Sequence, residues 1–381
     1  MVSVLRDTIM KNKFSDKKKH ILQLNLNGTG GAFSLISSYA IALQDNYIFD
    51  FYCLGEFASS EKTETLNKLG SIVYEQKKYR NRFINYLIRP FCFYFFLKKN
   101  HYDIIHINSD LSYNMFLYSF PAILAGVKRI VLHSHSSNVN GDYRHLKKVF
   151  HNIFKFFLIS KRYERISCSK LARNWMFFKH QNVSIIKNAI SLEKFKFNSK
   201  ARDFIRQSLG ANGKKIILMV GDMSFAKNPE FILDVFSKIQ NKEEYLLLFI
   251  GEGKNTNNVK KYAKNLNIEQ FCFFAGQKNN VNEYYSAADL YVMPSRFEGM
   301  PVSAIEAQAS GVPSLLSDNI TSEVKFLDSC VFLSIDSEQI WVNEITNSKL
   351  EYNRYECNNR LKIIGYDIQD SAKELSKVYS I

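Results

Sequence analysis

Residues 289–313 read DLYVMPSRFEGMPVSAIEAQASGVP. Leu290–Met293 is a short apolar run that stops at a turn signal, the pattern of a buried strand. Pro294 to Pro301 has a proline at each end and Gly299 between them, which predicts a loop leaving that strand. Ser303–Ser310 predicts a short helix, closed by Gly311 with Pro313 beyond it. Glu298 falls in the loop and Glu306 on the helix. A carboxylate past the end of a strand, followed by a helix N-terminus, is a common way to build a sugar or phosphate site.

The pattern widens on both sides into alternating apolar runs and helical periods. Lys215–Val220, Leu246–Ile250, Phe271–Phe274 and Ser314–Leu316 predict further strands, with helices at Pro229–Ile239, Asn258–Leu266 and Val281–Ala287. Such alternation predicts a parallel, doubly wound sheet. Towards the N-terminus, His20–Leu26 predicts a strand that runs into Gly28, Gly30 and Gly31 and then a helix over Phe33–Leu43. That is a nucleotide-type strand, glycine turn and helix. Phe49–Leu54, Ser71–Tyr74, Asp103–Asn108, Arg129–Ser134, Arg165–Ser169 and Val183–Ile190 predict the remaining strands of the first half. The chain therefore divides into a basic leader over residues 1–19, a first domain over 20–197, a second over 198–364 and a terminal helix in 365–381.

With 381 residues, the chain is long enough for two cores. Its net charge of +15 points to an anionic partner: nucleic acid, a membrane surface or a phosphorylated substrate. Nucleic acid is disfavoured, because no zinc pattern and no DNA- or RNA-binding motif is present. The 6 cysteines are scattered without metal-ligand spacing, which predicts a reduced, cytoplasmic chain. The leader lacks the apolar core of a signal peptide, and no run is long and apolar enough to span a bilayer. Lys77–Lys99 is basic at both ends and aromatic between them. It predicts either a core helix broken or kinked at Pro90, or a surface for peripheral contact with an anionic membrane.

Pro294, Ser295, Glu298, Gly299, Pro301, Glu306, Ala307, Ala309, Gly311 and Pro313 carry a resemblance to the retaining glycosyltransferases of family four, the group 1 set. The resemblance implies the GT-B fold: two Rossmann-like, doubly wound parallel-sheet domains facing a cleft, with the last helix crossing back to the first domain. It implies transfer of a sugar from a nucleoside diphosphate sugar, a UDP-sugar above all, to an acceptor hydroxyl with retained configuration. The acceptor it suggests is a saccharide, lipid-linked in bacterial surface polysaccharide, exopolysaccharide or capsule synthesis. Other readings compatible with the residues are another GT-B enzyme such as a sugar-nucleotide epimerase, an inactive scaffold, or a nucleic-acid-binding protein.

The same resemblance places donor contacts at Gly30, Gly31, Gly221, Lys227, Asn228, Glu298, Gly299, Met300 and Glu306. Glu306 is expected on the ribose hydroxyls, since a carboxylate accepts two adjacent O–H groups well. Glu298 is expected at the reacting centre and His133 on the first domain, as the catalytic pair, with His135 close behind His133 as a choice. The leaving diphosphate needs a fixed positive charge. No DxD is present to hold a metal, so no metal or other cofactor is expected and Lys227 is the leading cation. Asp222 stands where the family has an arginine. Either Asp222 turns away and leaves Lys227 as the main cation, or Arg296 reaches in as a phosphate contact.

Overall fold

A computed structural model describes residues 18–28, 30–57, 60–77, 81–139, 142–347 and 353–380. The basic leader up to residue 17 lies outside the described residues, as do Lys78 and Arg80 of the basic, aromatic segment.

The first sheet holds β1 (Lys19–Leu24), β2 (Tyr47–Leu54), β3 (Val73–Gln76), β4 (Ile104–Ser109), β5 (Arg129–Ser134), β6 (Tyr163–Ser167) and β7 (Ser184–Ile185). The second holds β8 (Lys215–Val220), β9 (Tyr245–Ile250), β10 (Cys272–Phe274), β11 (Leu290–Met293), β12 (Ser314–Ser317) and β13 (Cys330–Leu333). The orders are β3-β2-β1-β4-β5-β6-β7 and β10-β9-β8-β11-β12-β13. The pairings between the named strands are parallel. Both sheets are covered by helices, so their central strands read as unbroken apolar runs: YLLLFI in β9 is buried along its whole length. Apolar side chains pack on both faces of each sheet, and Cys168 and Ala172 of the first half join one core of the second sheet.

Strand order reverses between β1 and β4 in one sheet and between β8 and β11 in the other. Such switch points open crevices at the carboxyl ends of the strands. Gly30 and Gly31 follow β1, Gly221 follows β8, and the 294–301 loop follows β11, so both crevices contribute to one cleft.

Two expectations are corrected. Pro90 does not break its segment: a single helix runs Arg82–Lys99. Its inner face holds it, with Phe93 and Leu97 buried and Phe93 packed on Tyr52 and Tyr118. That packing outweighs the missing proline N–H. The strand expected over Val183–Ile190 shrinks to Ser184–Ile185 at the sheet edge. Beyond it the chain turns to other partners: Asn188 donates to the Met300 carbonyl at 2.9 Å, and Ile190 bridges Asp367.

The helix Ile368–Ser380 lies on the first sheet's core through Ile368, Ala372, Leu375, Val378 and Tyr379. Tyr39 and Ser371 share a hydrogen bond of 2.6 Å there.

Candidate active site

A cleft of about 1440 Å³ separates the two sheets. Its walls include Gly30, Gly31 and His135 from the first half of the chain, and Gly221, Lys227, Arg296, Glu298, Met300 and Glu306 from the second. The two halves are joined beneath it. Ser137 Oγ donates to the Glu298 carbonyl at 2.7 Å, and Ser169 Oγ to the Gly299 carbonyl at 2.7 Å. Gly299 is required by that approach, because a Cβ there would stand 2.1 Å from the His135 carbonyl oxygen. The backbone carbonyls of the loop are thus fixed from the first domain. The N–H groups of Gly299 and Met300 donate to no protein group among the described residues.

Lys227 Nζ lies 2.7 Å from Glu298 Oε1, with side chains only 18% and 17% exposed. Burial works against the ammonium, but Glu298, with Asp222 and Glu306 behind it, outweighs burial and holds the lysine above its ordinary pKa. Lys227 is a fixed, permanent cation at the foot of the cleft. Gly221 makes its path: the residue has φ +152°, and a Cβ would come within 3.0 Å of Lys227 Cε. Asn228 takes the left-handed conformation at φ 58° and donates from Nδ2 to the Pro294 carbonyl at 3.1 Å, tying this loop to the glutamate loop.

Asp222 lines the cleft beside Lys227 and Arg296. The side chain is exposed and accepts from Ser224 Oγ at 2.9 Å, closing a local turn. Arg296 lines the cleft, but its guanidinium donates to the Phe225 carbonyl at 2.7 Å and stacks over the Phe225 ring at 4.1 Å. That guanidinium braces the loop; Lys227 is the cation that meets the glutamate.

Glu306 sits on the helix Val302–Ala309, where Tyr285 donates its hydroxyl to Oε2 at 3.0 Å. Burial pushes this carboxyl up to about 7, against the Tyr285 hydrogen bond and the lysines Lys194 and Lys227. A carboxyl raised in the folded state contributes stability below the unfolded pKa and loses it as pH rises through the folded value. Glu306→Gln is therefore expected to raise Tm at pH 8 by about 2–4 °C, the shift that ~1 kcal/mol gives in a domain of this size. The gain should vanish near pH 4.5, the ordinary value for this carboxyl. An equal gain at both pH values, read by calorimetry, would assign the effect to packing rather than charge.

His133 stands near the end of its strand, where the sequence reading put it, but not in the cleft wall. It is fully buried within β5, while His135, two residues on and past the strand end, lines the cleft. The two rings meet at 3.8 Å between centroids, tilted by 38°, as residues two apart along an extended chain allow. His133 Nδ1 faces His106 Nε2 at 3.2 Å, and His106 Nδ1 meets the Tyr379 hydroxyl at 2.6 Å. His135 Nε2 meets Asn108 Oδ1 at 2.8 Å, and Asn108 donates to Gln23 Oε1 at 2.9 Å. Gln23 in turn donates to the Tyr379 hydroxyl at 3.3 Å. A buried polar network thus reaches from the cleft to the terminal helix. Burial drives His135 down to about 4 and His106, also influenced by His135, down to about 3. Both rings are neutral at neutral pH.

Residues 201–327 match the family model of glycosyl transferases group 1. The chain is 26% identical to EpsF of Bacillus subtilis over 290 residues, covering 74% of this chain and 75% of that one. It is also 26% identical over 302 residues to the UDP-Gal:alpha-D-GlcNAc-diphosphoundecaprenol alpha-1,3-galactosyltransferase of Escherichia coli, covering 75% and 77%. The chain is thus similar to the group 1 glycosyltransferases over residues 201–327, and to two glycosyltransferases over 74% and 75% of its length. The fold agrees: Anabaena HepE, solved with UDP-glucose, superposes with a TM-score of 0.76 over 95% of this chain and 99% of that one, at 14% identity.

The structure adds cleft residues that sequence reasoning passed over. Arg89 and Asp110 line the wall from the first half of the chain, and Lys254 and Lys278 the opposite one. Asp110 follows β4 directly, the position of a residue at the carboxyl end of a parallel strand. That position was the available signal. Arg89 had none, because it reaches the cleft from the middle of a helix.

Proposed function

We propose that this glycosyltransferase moves a sugar from a UDP-sugar to a saccharide acceptor hydroxyl, with retained configuration and without a metal. The proposal includes a lipid-linked acceptor met at the cytoplasmic face of a membrane. The observation that carries it is the buried Lys227–Glu298 pair facing free backbone N–H groups at the crossing of two switch points. As the glycosidic bond breaks, negative charge grows on the diphosphate, and a preorganised ammonium stabilises that charge without reorganising. Glu306 lies on the helix leading away from the glutamate loop, where a carboxylate suits the ribose diol. Glu298, held by Lys227, faces the sugar, and its loop offers the Gly299 and Met300 N–H groups to sugar hydroxyls. His135 approaches from the first domain as a neutral ring that accepts a hydroxyl hydrogen bond. The uridine base and the lipid carrier rest on the Escherichia coli relative, whose name states both.

Among the described residues no three His, Cys, Asp or Glu side chains gather as a metal site. The mechanism proposed gives the charge role to Lys227. Transfer should persist in excess EDTA. Complete loss restored by manganese would replace this mechanism with a metal-assisted one.

The donor is tested by thermal stabilisation with UDP-, GDP- and ADP-sugars. A ligand that binds only the folded chain raises Tm by mass action, by about 2.7 kcal/mol of stability at one hundred times Kd. UDP-sugars should give the largest shift, and a flat response to all three would remove the donor reading. Release of free sugar or its epimer, with no glycoside formed on any saccharide, would favour the epimerase reading.

A further inference from the structure

About half of the large hydrophobic side chains exposed among the described residues lie on three neighbouring helices of the first domain and the turn that continues one of them. These are Arg82–Lys99, Ser112–Leu124 and Arg144–Phe154, the last continued by a turn over Lys155–Leu158. The helices touch side by side, with Tyr86 against Tyr113 at 6.2 Å and Phe116 against Phe154 at 5.4 Å.

The third helix is built inside out. A helix on a water-facing surface buries its apolar stripe. Here the fully buried side chain of Arg144–Phe154 is His151. Its Nδ1 accepts from the Ser112 N–H at 3.0 Å, its Nε2 faces the Trp175 carbonyl at 3.0 Å, and its ring stacks on Trp175 at 4.0 Å. The polar residue anchors the helix, and the apolar residues point outward: Leu146 is 57% exposed and Ile153 50%, with Phe156 of the following turn at 64%. On the first helix Phe91 and Phe95 are 68% and 67% exposed. A contiguous apolar surface of this kind marks a partner or a membrane.

Charge selects between them. None of the three helices contains an Asp or Glu, while Arg89, Lys98, Lys99, Lys147, Lys148 and Lys155 lie among or beside the apolar side chains. An apolar face on helices that carry basic but no acidic side chains fits an anionic bilayer: the apolar groups enter the headgroup boundary and the lysines reach the phosphates. The face also adjoins the cleft, since Arg144 stacks over Phe225 at 3.7 Å and both Arg89 and Lys147 line the cleft wall. We propose that these three helices form a docking face for anionic lipid bilayers, which seats the acceptor side of the cleft on the membrane surface. The inference deepens the reading of a lipid-linked acceptor and rests on it only for its purpose; binding to lipid can be measured without any substrate.

The test is co-sedimentation of the full chain with vesicles of phosphatidylcholine alone and with phosphatidylglycerol added, at about 0.1 M and about 1 M salt, across which the Debye length falls roughly threefold. The expected result is binding to the anionic vesicles that weakens at high salt. Phe150→Ser, Ile153→Ser and Phe156→Ser combined should reduce it by at least about tenfold, and so should Lys98→Ser, Lys99→Ser and Lys148→Ser combined. All six positions are exposed, and stabilisation of both variants by UDP-sugar serves as the check on folding and on the donor site. Loss of vesicle binding with donor stabilisation intact supports the face. Equal binding to neutral and anionic vesicles, or variants that bind as the parent does, overturns it. So does a parent chain that sediments as a dimer and a Phe150, Ile153, Phe156 variant that sediments as a monomer, which would assign the face to a second copy. Failure of every nucleotide sugar to stabilise the parent, with vesicle binding as expected, would remove the donor reading and leave the face.

Discussion

Lys227→Ala is expected to lower kcat/KM by about 2–4 kcal/mol of transition-state stabilisation, roughly 30- to 1000-fold, the usual loss on removing one preorganised donor. Lys227 Nζ is held at 2.7 Å from Glu298 Oε1, so the ammonium does not have to find its place when the diphosphate leaves. Removing it also leaves Glu298 as an unpaired carboxylate in a cleft that must accept an anion, and the two effects reinforce each other. Arg296→Ala should cost under about 1 kcal/mol, because its guanidinium is already spent on the Phe225 carbonyl and ring. Kinetics of both variants with one donor decide the matter. A large loss at Arg296 with little change at Lys227 would exchange their roles, and no loss at either would point to a scaffold.

How much of this was legible beforehand depends on how locally each feature is determined. The strands Arg129–Ser134, Lys215–Val220 and Leu290–Met293 stand where their apolar runs begin and end. The helix Val281–Ala287 does too. Each has its stop signal within the segment. Cys330–Leu333 was passed over because a four-residue edge strand carries too short a run to separate from a loop. The helix Arg144–Phe154 was missed for a different reason: its apolar side chains face outward and its buried one is a histidine. Periodicity locates a stripe but not the side on which the protein lies. The Lys227–Glu298 contact joins loops seventy-one residues apart in number, and the motif around each glutamate and lysine was readable while their meeting was not. Asp222 shows the reverse case, since its turn with Ser224 is local, yet only the coordinates show that the residue making that turn also lines the cleft.

The same limit separates His133 from His135, and it sets the second large effect. His135→Ala is expected to lower kcat by about 10²–10⁴-fold, the range for a group that handles a proton or holds a reacting hydroxyl. Donor affinity should change less, because His135 lines the cleft from the first half of the chain, whereas Lys227, Glu298 and Glu306 line it from the second. The ring is neutral at neutral pH, and Asn108 Oδ1 accepts its Nε2 proton, which leaves Nδ1 as the free acceptor. His133→Ala should act on stability instead. It leaves His106 Nε2 without its partner at 3.2 Å inside the core, a loss of about 1–3 kcal/mol. The buried histidines also set an acid limit. Burial holds His106 and His135 at about 3 and about 4 against an ordinary 6.5, so the unfolded chain takes up protons that the folded one refuses. Their stabilising contribution is present above 6.5 and is lost as pH falls through 4, and the acid limb of kcat assigned to His135 should lie near 4 rather than near 6.5. Stopped assays and melting curves of both variants between pH 4 and pH 8 separate the roles, over the span from the shifted value of His135 to just above an ordinary histidine. A His133→Ala enzyme that melts like the parent but turns over a hundredfold slower, beside a His135→Ala enzyme that works normally, would return the catalytic role to the buried ring and require the cleft to open onto it.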